Sequence, residues 1–380
     1  MGKSLPTAVG PMTANTHRDP LLKSVLRSGW RAALAARVLA ATPLSGRGGE
    51  PRVFYGGARA GNVGGPLVKV KRLQEYFPER AWTFNLVYAL SNAPYLTAAA
   101  LDWLRLRKIP IVVNQNGVFY PGWYAGDWRG MNAVMARAYH RADYVFWQSA
   151  FCRRAADRFL GERRGAGEVL FNAIDTRRFC PAEVRPERPF TFLLSGKIDA
   201  HIAYRLEATI AGLAAARSAG LDARLVVAGW VADPARAAAD RLIARLALRN
   251  VVDFTGAYTQ EDAPAVYRAA DAYVMTKHLD PCPNTVLEAM ACGLPVLYSA
   301  NGGVPELVGA DAGVGLAVEE DWDVILAPSA EALGEGMLRV AASAPTMAAA
   351  ARARAVAAFD IVPWIARHAE IFHSLLEARS

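Results

Sequence analysis

Short apolar runs recur along this 380-residue chain, and each is followed by a loop and then by a segment of helical period. That alternation restricts the fold more than any other feature. The runs are predicted as strands at 52–55, 84–89, 109–114 and 144–147 in the first half. In the second half they fall at 190–195, 225–228, 252–254, 272–275 and 295–299. Strand, loop and helix in repeated succession specify a parallel sheet covered on both faces. Between the two sets lies Pro181-Ala-Glu-Val-Arg-Pro-Glu-Arg-Pro189, which has no periodicity and reads as a linker. The expectation is an α/β chain of two Rossmann-like parallel-sheet domains in tandem. Such sheets bind ligands beyond the carboxyl ends of their strands, and two facing domains set a central cleft there.

Composition narrows the function. Apolar residues make up 53% and charged residues 21%, a globular balance and not that of a disordered chain. No apolar run approaches the roughly 18 residues of a membrane-spanning helix. Residues 1–20 lack the apolar core of a secretory signal, and Cys152, Cys180, Cys282 and Cys292 show no Cys-x-x-Cys spacing. A cytoplasmic location is expected, with neither zinc site nor disulfide framework. The net charge of +8 favours anionic partners, yet no block of five basic residues occurs, so no nucleic-acid partner is expected.

Residues 1–48 read as an extension. Asp19-Pro20 suits a helix start, and Leu21–Ala41 has helical period. Leu22, Val25, Leu26, Trp30, Ala33 and Leu34 share one face, beside a stripe of Lys23, Arg27 and Arg31. The pattern serves equally for a peripheral contact with an acidic membrane and for packing on the chain's own domain. Further on, a glycine-rich loop runs from Gly56 to Gly65, with a helix predicted over Pro66–Tyr76. Tyr120, Trp123, Tyr124 and Trp128 follow the turn Asn114-Gln115-Asn116-Gly117. They suit stacking on sugar rings or packing within a loop.

The segment richest in chemistry is Asp271 to Val296. A strand ends near Met275, a loop carries Asp280, a helix starts near Asn284 or Thr285, and Gly293 closes it. Free N–H groups and the positive dipole end at such a start hold a diphosphate. Glu288, just behind, can accept hydrogen bonds from two ribose hydroxyls, and Asp280 can grip hydroxyls of an attached sugar. Read by spacing alone, Thr285-x-x-Glu288 is also a capping box and Asp280 before Pro281 a turn residue.

Taken whole, the segment resembles the signature of the retaining glycosyltransferases of family 4, which have the GT-B fold. Glu288-Ala-Met-Ala-Cys-Gly-Leu-Pro-Val296 follows an acid after seven residues, with Asp280 where glutamate is usual. Ser299-Ala-Asn-Gly-Gly-Val-Pro-Glu306, Phe254-Thr-Gly256, Tyr267-Arg-Ala-Ala-Asp271 and Phe171-Asn-Ala-Ile-Asp175 are similar to flanking elements of that family. The resemblance implies that Glu288 binds the donor ribose and that Asn284 and Thr285 offer N–H groups to the diphosphate. It further implies that Asp280 contacts the donor sugar, and that Gly64 and Gly65 approach the donor phosphates or the acceptor.

Three departures stand out. Gly196-Lys197 replaces the family's Gly-Arg, and Ile202 and Ala203 occupy the later lysine positions, leaving Arg205 as a nearby substitute. Asn116 stands where a histidine is common; it can hydrogen-bond a sugar but is no general base. Thr276-Lys277 replaces Pro-Ser, so Lys277 offers either a further cation or a solvent-exposed side chain. His201 and His278 are isolated in sequence, and Asp321-Trp-Asp323 reads as a solvated loop.

These readings predict an extension over 1–48, an acceptor-binding domain over 49–182 with the terminal helix 364–380, and a donor domain over 183–363. The expected reaction moves a hexosyl unit from a nucleotide-diphosphate sugar to a glycan or lipid-linked glycan acceptor, with no cofactor and no metal. Asp280, Lys197 and Asn116 are the expected catalytic residues. A catalytically impaired binding protein, an epimerase and a phosphorylase are the alternatives.

Overall fold

A computed structural model describes residues 7–8, 21–44, 49–61, 65–183 and 188–379. Gly64 and part of the linker lie outside these residues. In chain order the strands are β1 (Thr7–Ala8), β2 (Val53–Phe54), β3 (Leu86–Leu90), β4 (Ile111–Gln115), β5 (Tyr144–Trp147), β6 (Gly167–Val169), β7 (Phe190–Ser195), β8 (Ala223–Ala228), β9 (Val252–Gly256), β10 (Ala272–Met275), β11 (Val296–Ser299), β12 (Gly313–Leu316) and β13 (Leu326–Ala327). The α-helices are α1 (Leu21–Ala41), α2 (Gly65–Tyr76), α3 (Ala98–Leu106), α4 (Trp128–Tyr139), α5 (Ala150–Leu160), α6 (Tyr204–Ser218), α7 (Asp233–Arg245), α8 (Ala263–Arg268), α9 (Asn284–Ala291), α10 (Val304–Val308), α11 (Ala330–Ala342), α12 (Ala344–Phe359) and α13 (Ile361–Glu377).

They form two compact units, one within residues 16–120, 124–171 and 362–380, the other within 1–15, 121–123 and 172–361. The first holds a parallel sheet in the order β2-β3-β4-β5-β6. Its central strands, Leu-Val-Tyr-Ala-Leu and Ile-Val-Val-Asn-Gln, are buried at every position. Continuous apolar runs of this kind are what a sheet covered on both faces requires. The last helix, α13, belongs to this unit: His368 is fully buried and lies 3.1 Å from the Tyr88 hydroxyl.

The second unit holds a six-stranded parallel sheet in the order β12-β11-β10-β7-β8-β9. Leu194, Leu206, Ile210, Leu225, Val274, Leu297, Leu333 and Met337 form the fully buried centre between that sheet and α6 and α11. Thr191 starts β7 by donating its N–H to Asp271 Oδ2 at 2.8 Å, and Arg188 pairs with the same carboxylate. Asp271 of the Tyr-x-x-Ala-Asp element is therefore an anchor for the strand start.

Two details differ from the sequence expectation. The segment Asn172–Pro181 belongs to the second unit, ahead of the boundary expected at 182. Ile174 pairs with Asp360, and Arg352 donates to the carbonyls of Thr176 and Phe179 at 3.0 and 2.9 Å. On α1 the buried side chains are Leu34, Val38 and Ala41, at i, i+4 and i+7, whereas Leu26 is 63% exposed and Ala33 is also outside. The side chains of Leu22 and Val25 lie outside the described residues. Trp103 Nε1 donates to Thr42 Oγ1 at 2.8 Å just beyond the helix, so its C-terminal half is packed on its own unit. Among the described residues no helix is long and apolar enough to cross a membrane.

Candidate functional site

The loop between β10 and α9 is held from both sides. Asp280 pairs with Lys277, Nζ to Oδ2 at 2.7 Å, and its Oδ1 accepts from Cys282 N at 3.2 Å. The main-chain carbonyl of Asp280 accepts from Gly303 N at 2.9 Å. A Cβ on Gly302 would meet Asp280 O at 2.8 Å, so only glycine allows this approach. The Gly-Gly pair of the sequence thus fixes where Asp280 sits. Lys277 is neither a spare cation nor a free side chain, because it holds the Asp280 carboxylate.

Pro283 takes the N-cap position of α9, and Asn284 and Thr285 are its first two residues. The capping-box alternative does not hold, because Thr285 lies inside the helix and not at its cap. The N–H groups of Asn284 and Thr285 are among those a helix start leaves without intrahelical partners. Asn284 Oδ1 is buried and has no hydrogen-bond partner.

Glu288, 4% exposed, accepts a hydrogen bond from the Tyr267 hydroxyl at 2.8 Å. The Ser195 hydroxyl lies 3.2 Å from that of Tyr267 and donates to that of Tyr273 at 3.3 Å. Burial and the Glu288 charge push the Tyr258 phenol up to about 12, and burial pushes Tyr267 up as well. Both stay protonated and can donate. The carboxylate is thus held by the Tyr267 hydroxyl of α8, with the hydroxyls of Ser195 and Tyr273 behind it. Tyr267→Phe should weaken nucleoside diphosphate binding about tenfold or more, the worth of a hydrogen bond to a charged group. Isothermal titration on Tyr267→Phe, Glu288→Gln and the double variant should give non-additive losses; additive ones would dismiss the pairing.

The neighbouring strand β7 is followed by Gly196, whose φ of +116° suits glycine, and whose carbonyl would lie 2.1 Å from a Cβ on Gly229. Lys197 is exposed and its Nζ lies 5.1 Å above the Trp230 ring. Arg205, on the first turn of α6, is 4% exposed; its Nη2 meets Met275 Sδ at 3.6 Å and its Nε has no partner. The buried hydroxyls of Thr276 and Ser299, at the ends of β10 and β11, are also without partners. His201 pairs with Asp199 at 2.6 Å, and burial lowers its pKa.

His278 is a loop anchor. Its Nε2–H donates to Asp321 O at 2.7 Å, its Nδ1 accepts from Asn301 Nδ2 at 3.0 Å, and burial holds its pKa down. Asp321 Oδ1 accepts from the N–H groups of Asp323 and Val324 at 2.7 and 2.9 Å, which makes this acid a turn residue.

In the first unit, Asn116 follows β4. Its Oδ1 accepts from Gln148 Nε2 and lies 3.4 Å from Lys69 Nζ, and its Nδ2 donates to Asn92 Oδ1 at 2.8 Å. Gly65 opens α2. Of the aromatic group, Tyr120 is buried against Phe159, and Trp128 lies between Phe159 and Arg129, so packing accounts for both. Trp123 is 37% exposed.

Glu288, Asn284, Thr285, Asp280 and Lys277 therefore share one strand–loop–helix, and Gly196, Lys197 and Arg205 stand at the next strand. Asn116 and Gly65 belong to the other unit. Residues 182–344, less than half of the chain, match the family model of the glycosyl transferases group 1. This stretch contains Gly196, Lys197, Arg205, Lys277, Asp280, Asn284, Thr285 and Glu288, and leaves out Gly64 and Gly65. The chain is 30% identical over 157 residues to D-inositol 3-phosphate glycosyltransferase of Salinispora tropica, covering 36% of this chain and 32% of that one. It is 40% identical over 57 residues to mannosylfructose-phosphate synthase of Agrobacterium fabrum, 15% of this chain and 13% of that one. The match thus spans a third or less of these curated relatives. Among solved structures, Anabaena HepE in complex with UDP has a TM-score of 0.62 at 20% identity, over 81% of each chain. Sucrose-phosphate synthase from Thermosynechococcus elongatus has a TM-score of 0.59 at 20% identity, over 81% of this chain and 77% of that one. The fold is GT-B, with two parallel-sheet Rossmann-like units.

Proposed function

We propose that the chain is a retaining glycosyltransferase of family 4, moving a hexosyl unit from a nucleotide-diphosphate sugar to a hydroxyl of a glycan or lipid-linked glycan in surface polysaccharide synthesis. The observation that carries this reading is the buried Glu288 carboxylate, held by Tyr267 one turn inside α9, behind the N–H groups of Asn284 and Thr285. The solved complexes of HepE with UDP and UDP-glucose support a nucleotide-sugar donor. In this reading Glu288 accepts from the ribose diol, the start of α9 takes the diphosphate, and Asp280 takes a sugar hydroxyl.

The bond from the anomeric carbon to the diphosphate oxygen breaks, and a bond from the acceptor oxygen forms on the same face. The acceptor proton passes to the leaving diphosphate oxygen. Asn116 is no base, since a neutral carboxamide takes up no proton near pH 7, and its oxygen accepts from Gln148. Negative charge grows on the diphosphate, and Arg205, Lys197 and the α9 start stabilise it. In this reading these groups take up the charge, and no metal is required. The exposed Leu26 of α1, beside Arg27, suits the peripheral contact with an acidic membrane that belongs to this reading.

The test is nucleoside diphosphate release from a panel of nucleotide sugars, with and without glycans and liposomes bearing lipid-linked sugars. Release should depend on one donor and rise with an acceptor. Binding without release across the panel would favour the impaired-binder reading. An isomerised donor or a phosphate-dependent sugar phosphate would favour the epimerase or phosphorylase.

A further inference from the structure

Three residues other than glycine have a positive φ among the described residues: Lys108, Ala247 and Leu279. Lys108 and Ala247 directly follow the C-caps of α3 and α7, where a left-handed residue is an ordinary stop. Leu279, at φ +49°, ends no helix; it immediately precedes Asp280 and is 2% exposed. A left-handed turn is unfavourable for a residue with a Cβ and persists where its surroundings fix it. Here one amide fixes it. Asn301 Oδ1 accepts from Leu279 N at 3.2 Å, and Asn301 Nδ2 faces both His278 Nδ1 at 3.0 Å and Glu319 O at 3.2 Å. The partners settle the orientation of this amide: reversed, it would set Nδ2 against the Leu279 N–H and Oδ1 against the Glu319 carbonyl. They settle the ring as well. Asp321 O only accepts, so His278 Nε2 carries the proton, at 2.7 Å, and Nδ1 accepts from Asn301. The loop is tied on either side, His278 N donating to the Tyr204 hydroxyl at 2.9 Å and Gly303 N to Asp280 O at 2.9 Å.

We infer that His278 and Asn301 are positioning residues of the donor site: the ring in its Nε2–H form and the amide together hold Leu279 in its left-handed turn, and with it the carboxylate of Asp280. The inference rests on the donor reading only for the task of Asp280. A second proton, on Nδ1, would point at the Asn301 NH2 group. The amide could meet it only by turning over, which takes the acceptor away from Leu279. Burial keeps the ring neutral although Asp321 and Glu320 favour the imidazolium, and Lys277 and Asp280, on the same loop, pair with each other. A histidine whose pKa is lowered from the ordinary 6.5 lends full support above that value and loses it as pH falls toward the lowered one. The Asp280 loop should therefore hold at neutral pH and loosen on the acid side. Asn301→Asp reverses the sign. The new carboxylate still accepts from Leu279 N, but its other oxygen calls for a proton on Nδ1. The imidazolium then supports the loop, its pKa is raised, and the support is lost as pH rises.

The test is nuclear magnetic resonance on the full chain without ligand, from about pH 5 to pH 8. The ring nitrogens of His278, assigned by their loss in His278→Asn, should show Nε2–H alone at neutral pH. The Gly303 amide signal reports the bond to Asp280 O. It should move with the His278 titration toward acid in the unaltered chain and toward alkali in Asn301→Asp. It should stay still in His278→Asn, which keeps an acceptor in place of Nδ1. A proton on Nδ1 at neutral pH in the unaltered chain overturns the inference even where neither variant folds. So does a Gly303 signal indifferent to the His278 titration, or one with the same trend in Asn301→Asp. UDP-glucose then probes the donor site. Its affinity should fall about tenfold or more on the acid side in the unaltered chain, and on the alkaline side in Asn301→Asp. Constant affinity while the loop signal moves would overturn the positioning of the donor by these residues. Failure of every nucleotide sugar in the release panel to bind would instead sink the donor reading, leaving the loop signals to decide the contacts.

Discussion

Glu288→Ala should remove at least about a hundredfold of affinity for the nucleoside diphosphate and nucleotide sugar of the proposed donor, while the chain stays folded. Two hydrogen bonds from a ribose diol to a charged carboxylate are each worth about 1.5–3 kcal/mol, and truncation forfeits both. The fold survives because the carboxylate does not cap α9; Pro283 holds that position. The change leaves the Tyr267 hydroxyl without this acceptor, at about 1–3 kcal/mol. It also lifts the desolvation cost of a carboxylate that is 4% exposed. The two effects oppose, so the melting temperature should move by only about a few degrees for a unit of this size. Glu288→Gln, which keeps shape and one acceptor, should fall between. Titration calorimetry and a thermal melt on the same preparations decide it. Unchanged affinity in folded Glu288→Ala would falsify the ribose role.

What the sequence makes legible here is local. Strands 144–147, 190–195 and 272–275 stand where apolar runs put them, and α1 spans the residues that its period predicts. Strand β12 escapes because its residues are Gly-Val-Gly-Leu. A Cβ at Gly313 would lie 2.0 Å from Val296 O, so the backbone's close approach, and not an apolar pattern, defines that strand. Glu288 is singled out by the likeness of its whole segment to the family 4 signature, since spacing alone reads it equally as part of a helix cap. Its partner Tyr267 lies 21 residues away and Ser195 72 residues from Tyr267, distances that only the fold closes. The tie of Lys69 to Asn114, 45 residues apart, is invisible for the same reason. His278 looks isolated because its partner, Asp321, is 43 residues on.

Arg205→Met should lower kcat by about a hundred- to a thousandfold, the range seen when a preorganised group facing developing charge is removed. Arg205 is a buried cation that makes no ion pair among the described residues; Met275 Sδ is a soft neighbour and Nε has no partner. A guanidinium in that state is costly to the folded chain, and an anion arriving at the end of β7 relieves the cost. The diphosphate charge grows as the sugar departs, so the relief is greatest in the transition state and the loss should fall on kcat more than on donor KM. Lys197, exposed beside Trp230, works in a higher dielectric, and Lys197→Met should cost only about tenfold. Stability should move the opposite way: an apolar side chain of similar length in place of an unpaired buried charge should hold or raise the melting temperature. Steady-state kinetics with the preferred donor, paired with a thermal melt, separate the cases. A variant with near-normal kcat shows that Arg205 does not meet the leaving group. A variant that loses stability and activity together shows that the guanidinium supports the fold instead.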